Sequence, residues 1–285
     1  MHQFTLSAFA DEISPWLETQ MDVLDKFNIR HIEMRGVNDR PLVEHTLDEV
    51  KLIKQRLDEH GFAISSVGSP IGKIGLDEDF DAHLDLFRHT LKIAQILEAP
   101  YIRMFSFWMP KDEDPQQYWP EVLHRWQQLV AAAEGYDVTL LHENEKDIFG
   151  DTAERCLQLL EALNTPKVKA VFDPANFVQC GVTPFPDAFT LLRKHVVYIH
   201  IKDALFATGD VMPAGLGDGR IGDMLAELAT CGYQGFLSLE PHLADFSGFK
   251  ALENSAITSD KMDHGEAAFT CAVNALNSVI NERGL

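Results

Sequence analysis

Three carboxylates and one imidazole stand out because each closes a short run of β-forming residues: Glu143 in LLHENE, Asp173 in AVFDPANF, His200 in VYIHIKD and Glu240 in LSLEPHL. Side chains alternate along a strand, so groups at the ends of neighbouring strands can turn inward and converge in one pocket. Three anionic carboxylates so close repel one another strongly, and a bound divalent cation removes that repulsion. A donor set of carboxylate oxygens and one nitrogen suits manganese, magnesium, cobalt or zinc rather than a metal that prefers thiolates. Singly, an acid at a strand end reads as a helix cap and a strand histidine as a satisfied core residue. On consecutive runs the four read together as a site for one metal ion.

The elements that must position them recur through the chain. Short β-branched or aromatic runs lie at Phe4–Phe9, His31–Arg35, Phe62–Gly68, Tyr101–Ser106, Val138–Glu143, Val168–Asp173, Val196–Ile201 and Gly235–Glu240. Amphipathic segments stand between them, among them Leu42–His60, Asp79–Leu97, Pro115–Gly135 and Asp151–Leu163, and Gly265–Asn281 forms a last helix. Gly61 and Gly232 read as helix stops, and Asp151 or Thr152 as a cap. Repeated strand, loop and helix units imply parallel strands joined by right-handed crossovers, and closure into a (β/α)₈ TIM barrel leaves no exposed edge. No linker or low-complexity stretch interrupts the series, so residues 1–285 are expected to form a single domain. An open doubly wound sheet would want a glycine-rich phosphate loop after the first strand, where this chain reads FADEISP.

Composition narrows the partners. With 44 acidic against 24 basic residues the formal charge is −20, which opposes a nucleic-acid phosphate backbone. Cys156, Cys180, Cys231 and Cys271 show no CxxC spacing and read as small buried hydrophobes in a reducing compartment. No leader-like start and no apolar run near the ~20 residues of a membrane span is seen, so a soluble, cytoplasmic protein is expected.

The strings HEN, FDPANF, IHIKD, GLGDGRI and LSLEPHL resemble the xylose-isomerase-like barrel superfamily of sugar phosphate isomerases and epimerases, which also includes endonuclease IV. The resemblance spans nearly the whole chain in order. It implies a metal held by Glu143, Asp173, His200 and Glu240, with Glu143 and Glu240 doubling as acid and base across the substrate. Two positions depart from the pattern of sugar 3-epimerases: Asn176 stands where a histidine is usual, and Phe206 where an arginine is usual. Both bear on the substrate more than on the metal.

Further substrate contacts are expected from Glu33, Lys73, Asn176, Lys202, Arg220 and His242. Glu33 could contact sugar hydroxyls or pair with Arg35 or Arg103; Lys73 lies on a glycine-flanked loop; Arg220 could neutralise an anionic substrate. His142 should face away from Glu143 by alternation. Phe105, Phe107 and Trp108 are expected to form an apolar wall, and the connection from Leu243 to Asp263 a pocket cover or a dimer contact.

The expected activity is a divalent-metal-dependent isomerase or epimerase of a small sugar, sugar phosphate or related keto compound, by proton transfer beside a carbonyl. A dehydratase or lyase of a sugar-like ring ketone starts from the same abstracted proton. An abasic-site nuclease would want many histidines for a metal cluster, and a non-catalytic sugar-binding barrel would not need the full quartet.

Overall fold

The computed structural model describes residues 4–243 and 264–285. Parallel strands β1 (Thr5–Ala8), β2 (His31–Met34), β3 (Ala63–Gly68), β4 (Tyr101–Met104), β5 (Thr139–Glu143), β6 (Val168–Phe172), β7 (Val196–Ile201) and β8 (Phe236–Leu239) follow one another around a closed barrel. β8 returns to β1 with Thr5 opposite Phe236 and Ala8 opposite Leu239. Every expected run contains its strand, trimmed only at the ends.

Outside the ring lie α1 (Leu17–Lys26), α2 (Leu47–His60), α3 (Phe80–Leu97), α4 (Trp119–Ala132), α5 (Ala153–Leu163), α6 (Pro174–Gln179), α7 (Phe189–Leu192), α8 (Ile221–Thr230) and α9 (His264–Arg283). Local chemistry sets their ends. Thr46 caps α2 in a reciprocal box, its Oγ1 accepting from the Glu49 N–H while Glu49 Oε2 accepts from the Thr46 N–H, and Gly61 ends the helix at φ 72°. Thr152, not Asp151, caps α5. Between β6 and β7 the crossover is broken into α6 and α7, since Pro184 and Pro186 cannot continue a helix and Gly181 turns it at φ 71°. No helix among the described residues is long and apolar enough to cross a membrane.

Inward residues stack in layers that support the site. At the floor the rings of His31 and Phe236 lie 5.1 Å apart and those of Tyr101 and Tyr198 5.8 Å apart. Above them Ser65 Oγ sits 2.6 Å from Ser7 Oγ and 2.8 Å from the Tyr198 hydroxyl. Two residues further along β7, on the same face, comes His200.

Candidate metal centre

At the carboxyl ends of β5 to β8, His200 Nδ1 lies 3.0 Å from Glu143 Oε1, 3.3 Å from Glu240 Oε2 and 3.6 Å from Asp173 Oδ2. These four side chains each offer one donor atom within 4.8 Å of the others, and all are buried. Asp173 serves two purposes. Its Oδ1 accepts from the Asn176 N–H at 2.8 Å and caps α6, which leaves Oδ2 for the cluster. Asn144 fixes the same corner, donating to the Asp173 carbonyl and accepting from its N–H.

Glu33 joins from β2, its oxygens 3.2 and 3.4 Å from His200 Nε2. A carboxylate only accepts, so both ring nitrogens donate here, Nε2 to Glu33 and Nδ1 to the acids on the other side; a metal ion bound at Nδ1 would take the place of that second proton. Arg103 of β4 places Nε 3.3 Å from Glu143 Oε2 and 4.0 Å from Glu33. Lys202 Nζ reaches Asp173 Oδ2 at 2.8 Å and Glu240 Oε2 at 3.0 Å.

Burial opposes ionisation of Glu143 and Glu240, but nearby cations outweigh it. His200 and Arg103 hold the Glu143 carboxyl below the usual range, and Lys202 and His200 hold Glu240 well below it. Burial likewise opposes a charge on His200, yet Glu143 and Glu33 keep its imidazole well above its ordinary range. Four carboxylates (Glu33, Glu143, Asp173, Glu240) face two permanently charged bases (Arg103, Lys202) and the His200 imidazolium, and a divalent ion that displaced the Nδ1 proton would bring the set to neutrality. Two oxygens of the quartet, Glu143 Oε2 and Asp173 Oδ2, are buried with ion-pair contacts to Arg103 and Lys202 but no well-aligned hydrogen bond. The donor set therefore fits a hard or borderline divalent cation.

The other expected contacts divide. Asn176 lies in the cluster, Nδ2 at 3.3 Å from Glu143 Oε1 and 3.0 Å from the Asn144 carbonyl. His242 sits on the rim, with Nε2 at 3.1 Å from Glu12 and 3.4 Å from Glu240. Lys73 pairs with Glu145 at 3.1 Å and lies over the Phe105 ring. Arg220 is outside: its own left-handed backbone at the start of α8 turns it onto Asp223, with its side chain 58 % exposed. The apolar wall also needs correction. Phe105 faces Arg103 and Lys73, but Phe107, at φ 69°, leaves the strand alternation and packs against Phe80 and Arg125. Of the cysteines only Cys156 is buried, and Cys231 is exposed. The segment from Leu243 to Asp263, beyond its first residue, lies outside the described residues.

Sequence reasoning missed the loop after β1. There Asp11 and Glu12 hold Arg35, whose Nη1 lies 3.5 Å from Glu240. The signal for it is the acidic pair in FADE, directly after the first strand. It also passed over Asp203, whose carboxylate accepts from the N–H groups of Ala204, Gly215, Gly217 and Gly219. A Cβ at Gly217 or Gly219 would stand 2.4 or 2.7 Å from Asp203 Oδ1, so the GLGDG run is the loop that can wrap this carboxylate.

His142 points outward against Trp126, as alternation requires, with Nε2 2.9 Å from Ser106 Oγ. Burial pushes its imidazole down to about 4 from an ordinary 6.5, despite Glu143 beside it. Between those values the unfolded chain takes up a proton that the folded chain refuses. Stability is thus full above the ordinary value and is lost as the pH falls toward the lower one. From about pH 7 to about pH 5 the loss from this group is about 2 kcal/mol. Urea unfolding should show wild type losing that much more than His142→Gln, and equal losses would mean that His142 is not held neutral.

A family model described as xylose isomerase-like TIM barrel matches residues 21–264. Among curated proteins no sequence matches the chain. Solved structures share the fold at low identity. The IolI protein with a bound zinc atom is 17 % identical with a TM-score of 0.75, covering 98 % of this chain and 99 % of its own. The probable 3-DHS dehydratase AsbF from Bacillus anthracis is 17 % identical with a TM-score of 0.72, covering 96 % and 98 %. The 3-keto-D-glucoside 4-epimerase YcjR from E. coli is 10 % identical with a TM-score of 0.68, covering 99 % and 100 %.

Proposed function

The chain belongs to the xylose isomerase-like TIM barrel family, and from that premise we propose that it is a divalent-metal-dependent isomerase or epimerase acting beside the carbonyl of a small sugar or related keto compound. The observation that carries this reading is the convergence of Glu143, Asp173, His200 and Glu240 on one buried point. These four would hold the ion, with manganese or magnesium expected in function and zinc, the ion named for the similar IolI protein, a strong competitor. When bound, the ion supplies positive charge that stabilises negative charge developing on a carbonyl oxygen.

The chain's own groups do the rest. Glu143 and Glu240 come from strands three places apart around the ring, and both are held ionised by the bases beside them, so each can accept a proton. Lys202 fixes Asp173 and Glu240 relative to each other, and Glu33 fixes the imidazole. Burial of the whole set keeps water from competing for the abstracted proton. Loss of a neighbouring hydroxyl after the same abstraction would make the enzyme a dehydratase, the activity named for the similar B. anthracis protein.

Metal analysis tests the reading. Purified protein should retain about one divalent ion per chain, and His200→Ala should lose it while keeping its helical circular dichroism. Unchanged metal content in the folded variant would refute the site.

A further inference from the structure

We infer that Arg103 is the receptor for a substrate carboxylate, so that the compound turned over is the anion of a small hydroxy or keto sugar acid. The inference rests on the isomerase-or-epimerase reading for the reaction, and on Arg103 for the charge. Arg103 is only 5 % exposed, yet its guanidinium donates no hydrogen bond among the described residues, and its Nε is a buried atom without a partner. Leaving a buried donor unmade costs roughly 1–3 kcal/mol. Glu143 at 3.3 Å and Glu33 at 4.0 Å balance the charge without taking up the donors.

The two other buried arginine or lysine side chains among the described residues are engaged. Arg125 donates to Glu121 and to the carbonyls of Gly75 and Leu76, and Lys202 donates to Glu240 and lies 2.8 Å from Asp173. Arg103 alone among these is built as a fork with nothing in it. Its Cζ lies 4.6 Å from the Phe105 ring centroid and 5.4 Å from that of Phe9, so both rings help to hold the guanidinium. Gly68 gives it room: a Cβ there would stand 3.3 Å from Nη2 and 3.0 Å from the Phe9 ring. A planar fork held in advance by aromatic rings suits a planar carboxylate, which it can grip with two parallel bonds.

The charge balance favours a carboxylate over a phosphate. Glu33 and Glu143 already stand beside the fork, and the other nearby bases are engaged, Lys73 by Glu145 and Arg35 by Asp11 and Glu12. Beside two carboxylates and one guanidinium, a monoanion adds one negative charge and a phosphate dianion adds two, so the repulsion is smaller for a carboxylate.

Three ligands of one carbon skeleton test this on the metal-loaded protein by calorimetry: D-gluconate, D-sorbitol, which has an alcohol in place of the carboxylate, and sorbitol phosphate. Gluconate should bind at least about tenfold more tightly than sorbitol, as expected for a charge-assisted pair. Arg103→Met should abolish that preference with metal content unchanged. Arg103→Lys, which keeps the charge against Glu143 but not the fork, should lose most of it and decides the matter if the Met variant does not fold. Equal binding of gluconate and sorbitol, a preference that survives in the variants, tightest binding of sorbitol phosphate, or no gluconate binding at millimolar concentration would each overturn the assignment. Metal loss from wild type would count against the isomerase reading, and the gluconate preference is scored separately from it.

Discussion

Glu143→Gln and Glu240→Gln should each slow turnover by on the order of 10⁴-fold while the barrel remains folded. Gln preserves the shape of the side chain but cannot accept a proton at neutral pH, and its amide is a poor metal ligand. Each variant thus removes a base and weakens the ion in one change. The two should differ in what they leave behind. Glu240 is held by Lys202 at 3.0 Å, by His242 at 3.4 Å and by Arg35 at 3.5 Å, and its replacement leaves each of these with its other acid: Asp173, Glu12, and the Asp11–Glu12 pair. Loss of Glu143 leaves Arg103 with only Glu33, at 4.0 Å, and His200 with Glu33, Asp173 and Glu240. Rates on the best substrate from a panel of small hydroxy ketones and sugar acids, read beside metal content and circular dichroism, check both. A variant that keeps its ion and more than about a tenth of wild-type activity would show that its carboxylate does no proton transfer.

The strand ends were legible because alternation is a strict period: once VYIHIKD is a strand with Tyr198 inside, His200 and Lys202 must be inside too, as they are. The same rule placed His142 outside and Glu143 within. It failed where the backbone leaves the extended region. Phe107 at φ 69°, Arg220 at φ 54° and His242 at φ 45° each follow a strand or loop whose turn the sequence does not announce. Asp11 and Glu12 were missed for a different reason. They lie past the end of β1 on a short helical turn, and only the ring closure of β1 beside β8 brings them to Arg35, Glu240 and His242. Arg103 reads in the sequence as an ordinary ion-pair partner, and its unused donors exist only in three dimensions.

Turnover in heavy water should place solvent deuterium on the carbon beside the carbonyl. The carboxylates argue for this route over a hydride shift. Glu143 and Glu240 reach the cluster from strands three places apart, and both approach the same His200 nitrogen, at 3.0 and 3.3 Å. A planar carbon lying between them presents one face to each, so one carboxylate can remove a proton and the other return one. His242 gives Glu240 a partner at the rim, 3.4 Å away and partly exposed, through which a removed proton can exchange with water before it is returned. Label should therefore appear in the product, and in recovered substrate if the return step is slower than exchange. Mass spectrometry and proton NMR of both pools measure it. In Glu240→Gln the label in recovered substrate should fall together with the rate if Glu240 removes the proton, and persist above the rate of product formation if Glu143 does. Product free of deuterium would assign the step to hydride transfer and leave both glutamates as ligands alone.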